Sequence, residues 1–138
     1  MKRLTATVLL VSALLTGGCA RVAAPLSSDD QAIAQDFKTQ ASDVEVRDTG
    51  VVTSILPDDT NGSRHQRFIV TLDSGQTLEI AHNIDIAPRL EPLAKGDRVE
   101  FLGEYVWNDQ GGVVHWTHHD PSGKHSTGWL KSGSVVVQ

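Results

Sequence analysis

The sequence predicts a small, mainly β domain: an antiparallel sheet of five strands rolled on itself, with one α-helix ahead of it. Three observations carry that expectation. An apolar period of two recurs in short stretches beyond residue 42, turn-forming residues separate those stretches, and a helical period appears between residues 28 and 41.

The helix opens at Ser28, whose hydroxyl suits an N-cap, with Asp29 and Asp30 in the first turn, where the helix dipole favours anions, and Gln31 three residues on as a capping partner. Ile33, Phe37 and Ala41 recur every four residues, which predicts about three turns burying one narrow stripe. Beyond Ser42 the pattern turns to β. Val44-Glu45-Val46 alternates, and residues 50–56 are rich in β-branched side chains. Residues 66–72 place Phe68, Val70 and Leu72 on one face. A turn at Asp73-Ser74-Gly75 leads into 77–82, where Leu78, Ile80 and His82 are in phase. Residues 98–107 put Val99, Phe101, Gly103, Tyr105 and Trp107 on one side. Asn108 to Gly112 is a turn, and 113–118 is the last clear strand. Lys95-Gly96-Asp97-Arg98-Val99-Glu100-Phe101, after a connection bearing Pro88 and Pro92, has the pattern that opens the fourth strand of an OB-fold. Gly50 and Gly103 fall where barrel strands bend. The expected fold is therefore a small antiparallel OB-like five-stranded barrel with one N-terminal α-helix; a small β-sandwich or an SH3-like barrel would show much the same alternation.

The opening residues predict export. Lys2 and Arg3 precede an apolar run, 5–15, too short for a permanent membrane helix and of signal-peptide length. Leu15-Thr16-Gly17-Gly18-Cys19-Ala20 resembles the lipobox of bacterial lipoproteins, in which cleavage precedes a lipid-bearing Cys, although the Leu stands one residue further from Cys19 than that pattern puts it. An ordinary signal cut after Ala20 or Ala24 is the alternative. Cys19 is the only cysteine, so an intramolecular disulfide is excluded and lipidation gives the odd thiol a role. The expected organisation is a signal peptide over 1–19, a tether over 20–27 and one domain over 28–138. It would sit on the periplasmic face of the outer membrane as a lipoprotein, or be periplasmic or secreted if cut by ordinary signal peptidase.

Lys2 and Arg3 are the only charges before Cys19. The exported chain thus keeps ten of twelve Lys and Arg against all seventeen Asp and Glu, a formal charge near −7 with His neutral. Proteins that hold nucleic acid by neutralising phosphates carry a basic excess, so a general nucleic-acid binder is disfavoured.

Four of the six histidines, His115, His118, His119 and His125, fall within eleven residues beside Trp116 and Asp120. Imidazole titrates near neutral pH and is the commonest metal ligand. Strand alternation sets His115 with Thr117 and Trp116 with His118, so one register cannot direct all four to one point. His82, in phase with Leu78 and Ile80, is either a core histidine bonded to backbone or a companion of that cluster. The sequence assigns no cofactor outright. His82, His115, His119 and His125 are candidate ligands for zinc or another transition metal, although no zinc spacing such as His-Glu-x-x-His accompanies them. Arg64, His65, Arg67, Trp107 and Trp116 form a candidate ligand-binding group, since an Arg fork matches carboxylate or phosphate and indoles stack on sugars or bases. Ion pairs of those arginines with Asp58, Asp59 or Asp85 explain them equally well, and 57–62 reads as a solvated turn.

Gly62-Ser63-Arg64-His65-Gln66-Arg67-Phe68, Ala81-His82-Asn83-Ile84-Asp85, Gly96 to Phe101, Gly103-Glu104-Tyr105 with Trp107-Asn108, Gly111-Gly112-Val113, His115 to Pro121 and Gly128-Trp129 together resemble a bacterial family of short exported proteins, domain of unknown function 3465. The resemblance covers roughly residues 43–130. It implies an exported domain whose polar motifs belong together, and it implies no activity.

Two functions fit these residues. The first is a lipid-anchored envelope binding module with a His/Arg/Trp-rich site for a small molecule or polymer, such as a saccharide, a peptidoglycan fragment or exported DNA. The second is a metal-dependent hydrolase, with a phosphodiester as one substrate class, in which His118, His119 and Asp120 hold a metal or act as base while Arg64 and Arg67 stabilise the developing anion. A metal-buffering or pH-responsive surface is a third use of the His-rich segment. The enzyme lacks a nucleophile elbow, a Gly-rich phosphate loop and a close Glu pair, so the binding module is preferred.

Overall fold

The computed structural model describes residues 25–138, so the signal and lipobox segment with Cys19 lies outside the described residues. Helix α1 is Ser28–Thr39. Its cap is Ser27 rather than Ser28: the Ser27 hydroxyl accepts the Asp30 N–H at 3.0 Å, while Gln31 reaches back to the Leu26 carbonyl. Gln40 ends it in the left-handed region, so Ala41 lies past the helical stripe. Ile33 enters the core and Phe37 stacks on Trp107, with ring centroids 6.4 Å apart.

Strand β1 (Ser42–Asp59) joins the stretches expected at 44–46 and 50–56 into one strand of 18 residues. Its first part, to Val51, pairs with β4 (Arg98–Val106) and its second part with β2 (His65–Thr71). A strand shared in this way must bend between its partners, and Gly50 stands at the changeover. A Cβ there would lie 2.7 Å from the Val70 Cβ, so a side chain has no room. β2 turns back as β3 (Thr77–Asn83), and β5 (Val113–His115) lies between β3 and β4.

The five strands close a ring in the order β1-β2-β3-β5-β4, with β4 returning to β1. Two short strands, β6 (Trp129–Ser132) and β7 (Val135–Val137), extend it into a seven-stranded sheet. Two expectations need correction. The sheet is not wholly antiparallel, because β5, laid antiparallel to β4, runs parallel to β3. The expected five strands form the ring, but β6 and β7 join the sheet unanticipated, because with four and three residues they are too short to show a period of two. The interior is apolar, with Phe68, Leu78, Ile80, Val99, Phe101 and Tyr105 all fully buried. The alternation that aims them inward sends His65, Arg67, Asn83, Glu104 and His115 to the outer face.

Candidate functional site

β5 and β6 share one edge of β4: β5 pairs along Glu104 to Val106 and β6 along Val99 to Leu102. Between them the chain leaves the edge at Trp116 and returns at Gly128. The break is sharp. Trp116 has φ 52°, a conformation unfavourable for a bulky side chain, so the alternation expected through residue 118 stops at His115. Thr117 is then buried, and His118 comes round to the side of His115. At the far end the Gly128 N–H bonds the His118 carbonyl at 3.1 Å. A Cβ on Gly128 would strike the carbonyls of Trp116 and Leu102, so the two ends of the excursion are pinned backbone to backbone.

Asp120 organises the middle. Its carboxylate accepts the N–H groups of Ser122, Lys124 and His125 at 2.8, 2.7 and 2.9 Å, and the Ser122 hydroxyl. Burial alone would raise its pKa, but these donors outweigh that effect and hold it well below the usual carboxylate range.

Where the excursion departs, a cleft of about 450 Å³ opens on the outer face, lined by Ser63, His65, Asn83, Glu104, Val106, His115, Trp116 and His118. Pairing explains the company: His65 stands opposite Asn83 across β2 and β3, and Glu104 opposite His115 across β4 and β5. His65 and His115 meet edge to face with centroids 6.3 Å apart. The His65 Nδ1–H donates to the Ser63 carbonyl and the His118 Nδ1–H to the His119 carbonyl, both at 2.8 Å. A carbonyl can only accept, so the lone pair of each neutral ring sits on Nε2. Burial, and then the neighbouring His65, lowers the pKa of His115, against a weaker pull from Glu79 and Glu104. A smaller cleft of about 200 Å³ lies beside the first and shares Trp116 and Glu104 with it. His125 stacks on Trp116 there, with centroids 3.7 Å apart and planes 12° from parallel, and bonds Glu104 at 3.0 Å.

The residues anticipated from sequence divide. His65, His115, Trp116 and His118 converge, with His125 behind the indole. His82 does not join them, because it is fully buried and both ring nitrogens are spent: Nε2–H donates to the Pro88 carbonyl and Nδ1 accepts from Thr117, each at 2.9 Å. Burial pushes its pKa down to about 4. His119 is exposed and bonds Thr127. The set His82, His115, His119 and His125 is therefore not gathered around one point, and among the described residues no three His, Cys, Asp or Glu groups are placed to hold a metal ion. Trp107 belongs to the contact between α1 and the core, not to the cleft; its Nε1 is buried without a partner among the described residues. Both arginines are in ion pairs, Arg64 with Asp85 at 2.8 Å and Arg67 with Glu79 at 2.6 Å.

Sequence reasoning missed Ser63, Asn83 and Glu104 as members of the cleft. For Glu104 a signal existed, since alternation opposite Phe101, Gly103 and Tyr105 puts it outward, but its partner across the strands could not be read without the register.

These features define a mainly β protein with an imidazole-lined cleft on the outer face of a closed strand ring. The family model described as "Protein of unknown function (DUF3465)" matches residues 16–138, and the chain belongs to that family. No curated protein and no solved structure matches it.

Proposed function

We propose that this protein is an exported, lipid-anchored binding module of the cell envelope whose outer strand face takes a neutral saccharide. In this reading the five-strand ring is an OB-like barrel. Its strand order and the parallel β3–β5 pair support that reading, and in such barrels the face of the second and third strands with its flanking loops takes oligonucleotides or oligosaccharides.

Charge selects between those two ligands. The observation that carries the proposal is a cleft lined by imidazole, amide, carboxylate and indole groups without a cationic side chain, next to arginines already neutralised by Asp85 and Glu79. Phosphates would meet no counter-charge there, and Glu104 would repel them. A sugar hydroxyl both donates and accepts. The Nε2 atoms of His65 and His118, the Asn83 amide and the Glu104 carboxylate supply both kinds of partner, and Trp116 supplies an apolar wall. The metal-dependent hydrolase gains no support, because Asp120 is committed to its loop and His119 to Thr127. Cys19 carries the lipid and 20–27 holds the domain off the membrane.

The test is calorimetric titration of the full chain, expressed with its own signal in bacteria, against β-1,4-linked glucose and N-acetylglucosamine oligomers of one to four units. Polygalacturonate serves as the anionic control. Binding to a neutral series, weakened roughly tenfold by Trp116→Ala in line with about 1–3 kcal/mol per stacked ring, is the expected result. Binding to polygalacturonate alone would refute the reading. The mass of the processed chain, with and without Cys19→Ser, tests the anchor.

A further inference from the structure

Resting on that reading, we infer that the ligand is a chain of sugars that crosses Trp116, with one unit in each of the two clefts. The larger cleft, about 450 Å³, lies within the range of roughly 300–1,000 Å³ that ligand sites occupy, whereas the smaller, about 200 Å³, falls below it. The smaller cleft is thus an extension rather than a second site. It adjoins the first, because Trp116 and Glu104 line both.

The wall between them is built as a support. The Trp116 ring is backed by His125 from the smaller cleft, and His125 is held by Glu104, so the indole keeps its position when the larger cleft is filled. Asp120 fixes the His125 backbone, and the pinned ends of the excursion fix Trp116 itself. The smaller cleft adds Asp43, Glu45, Lys124, Ser126 and Gly128. Its three carboxylates, counting Glu104, outnumber the one ammonium group. The second unit is therefore uncharged or amine-bearing, and a uronic acid is repelled.

The two series of oligomers, titrated from one to four units into the full chain and into Ser126→Trp, test the inference. Ser126 is exposed and lines the smaller cleft, so an indole there should occupy it. The wild-type affinity should rise at least tenfold with length, and Ser126→Trp should remove the rise. Glu45→Arg, a substitution on the exposed side of β1, is the second variant and should reduce the rise if Ser126→Trp does not fold. Binding that is independent of length, or a rise that survives both substitutions, would overturn the two-cleft chain and leave the saccharide reading standing. No binding at any length would overturn both.

Discussion

His82 offers the sharpest test of the architecture behind the cleft. Both of its nitrogens are bonded in the interior, and burial holds its pKa at about 4 against an ordinary 6.5. The neutral ring is the folded form. Its stabilisation is complete above the ordinary value and is lost as pH falls from about 6.5 toward about 4, because the unfolded chain takes up the proton first. The displacement corresponds to about 3 kcal/mol in full, of which about 2 kcal/mol is lost by pH 5. Asp48 acts in the opposite direction: burial, reinforced by Asp30, Asp29 and Asp73, raises its pKa to about 6, so its contribution grows as pH falls. The wild-type profile alone therefore mixes the two. Urea unfolding followed by tryptophan fluorescence should compare the wild type with His82→Gln at about pH 7.5 and about pH 5. The stability gap should narrow by about 2 kcal/mol on acidification. A gap that stays constant, or an NMR titration placing His82 near 6.5 in the wild type, would refute the reasoning.

Three further outcomes are expected. His118→Ala should weaken saccharide binding roughly tenfold, while exposed His119→Ala should leave it unchanged; equal losses would break the division of the histidine cluster. Gly128→Ala should cost about 3 kcal/mol, the upper part of the range for overpacking, because the new methyl meets backbone carbonyls that cannot yield; a melting temperature unchanged by the substitution would show that the excursion is not pinned there. Asp120→Ala should accelerate hydrogen exchange at the amides of Ser122, Lys124 and His125 while the ring strands keep their protection. Exchange that accelerates throughout would make Asp120 a determinant of the whole fold.

The legible parts of this protein are those governed by local rules. Phe68, Val70, Leu78, Ile80, Val99, Phe101 and Tyr105 are buried as their alternation requires, and Gly50 stands where a strand has to bend. The helix was displaced by one residue at its start because Ser27 and Ser28 are both good caps and only the Asp30 amide decides between them. The site was half legible. The histidine run marked the right segment, but a left-handed Trp116 cannot be read from a β-like pattern, and that residue decides which imidazoles share a cleft. Arg64 and Arg67 stand out as cations and Asp85 is among the partners their sequence neighbourhood offers, whereas Glu79, 12 residues from Arg67, meets it only through the β2–β3 pairing.

The core and the cleft are joined by one side chain. His82 ties the Pro88 carbonyl, in the connection from β3 to β4, to Thr117, the residue between Trp116 and His118, and its ring lies 5.9 Å from that of His118. Protonating it puts a donor on both nitrogens, so the bond accepted from the Thr117 hydroxyl must reverse or break, and it adds charge beside His118. Thr117 has one neighbour in the cleft on each side. Acid should therefore disturb the cleft through the interior, and ligand binding should fail at a higher pH than the global fold does. In His82→Gln, with no proton to take up at this position, the two losses should draw together.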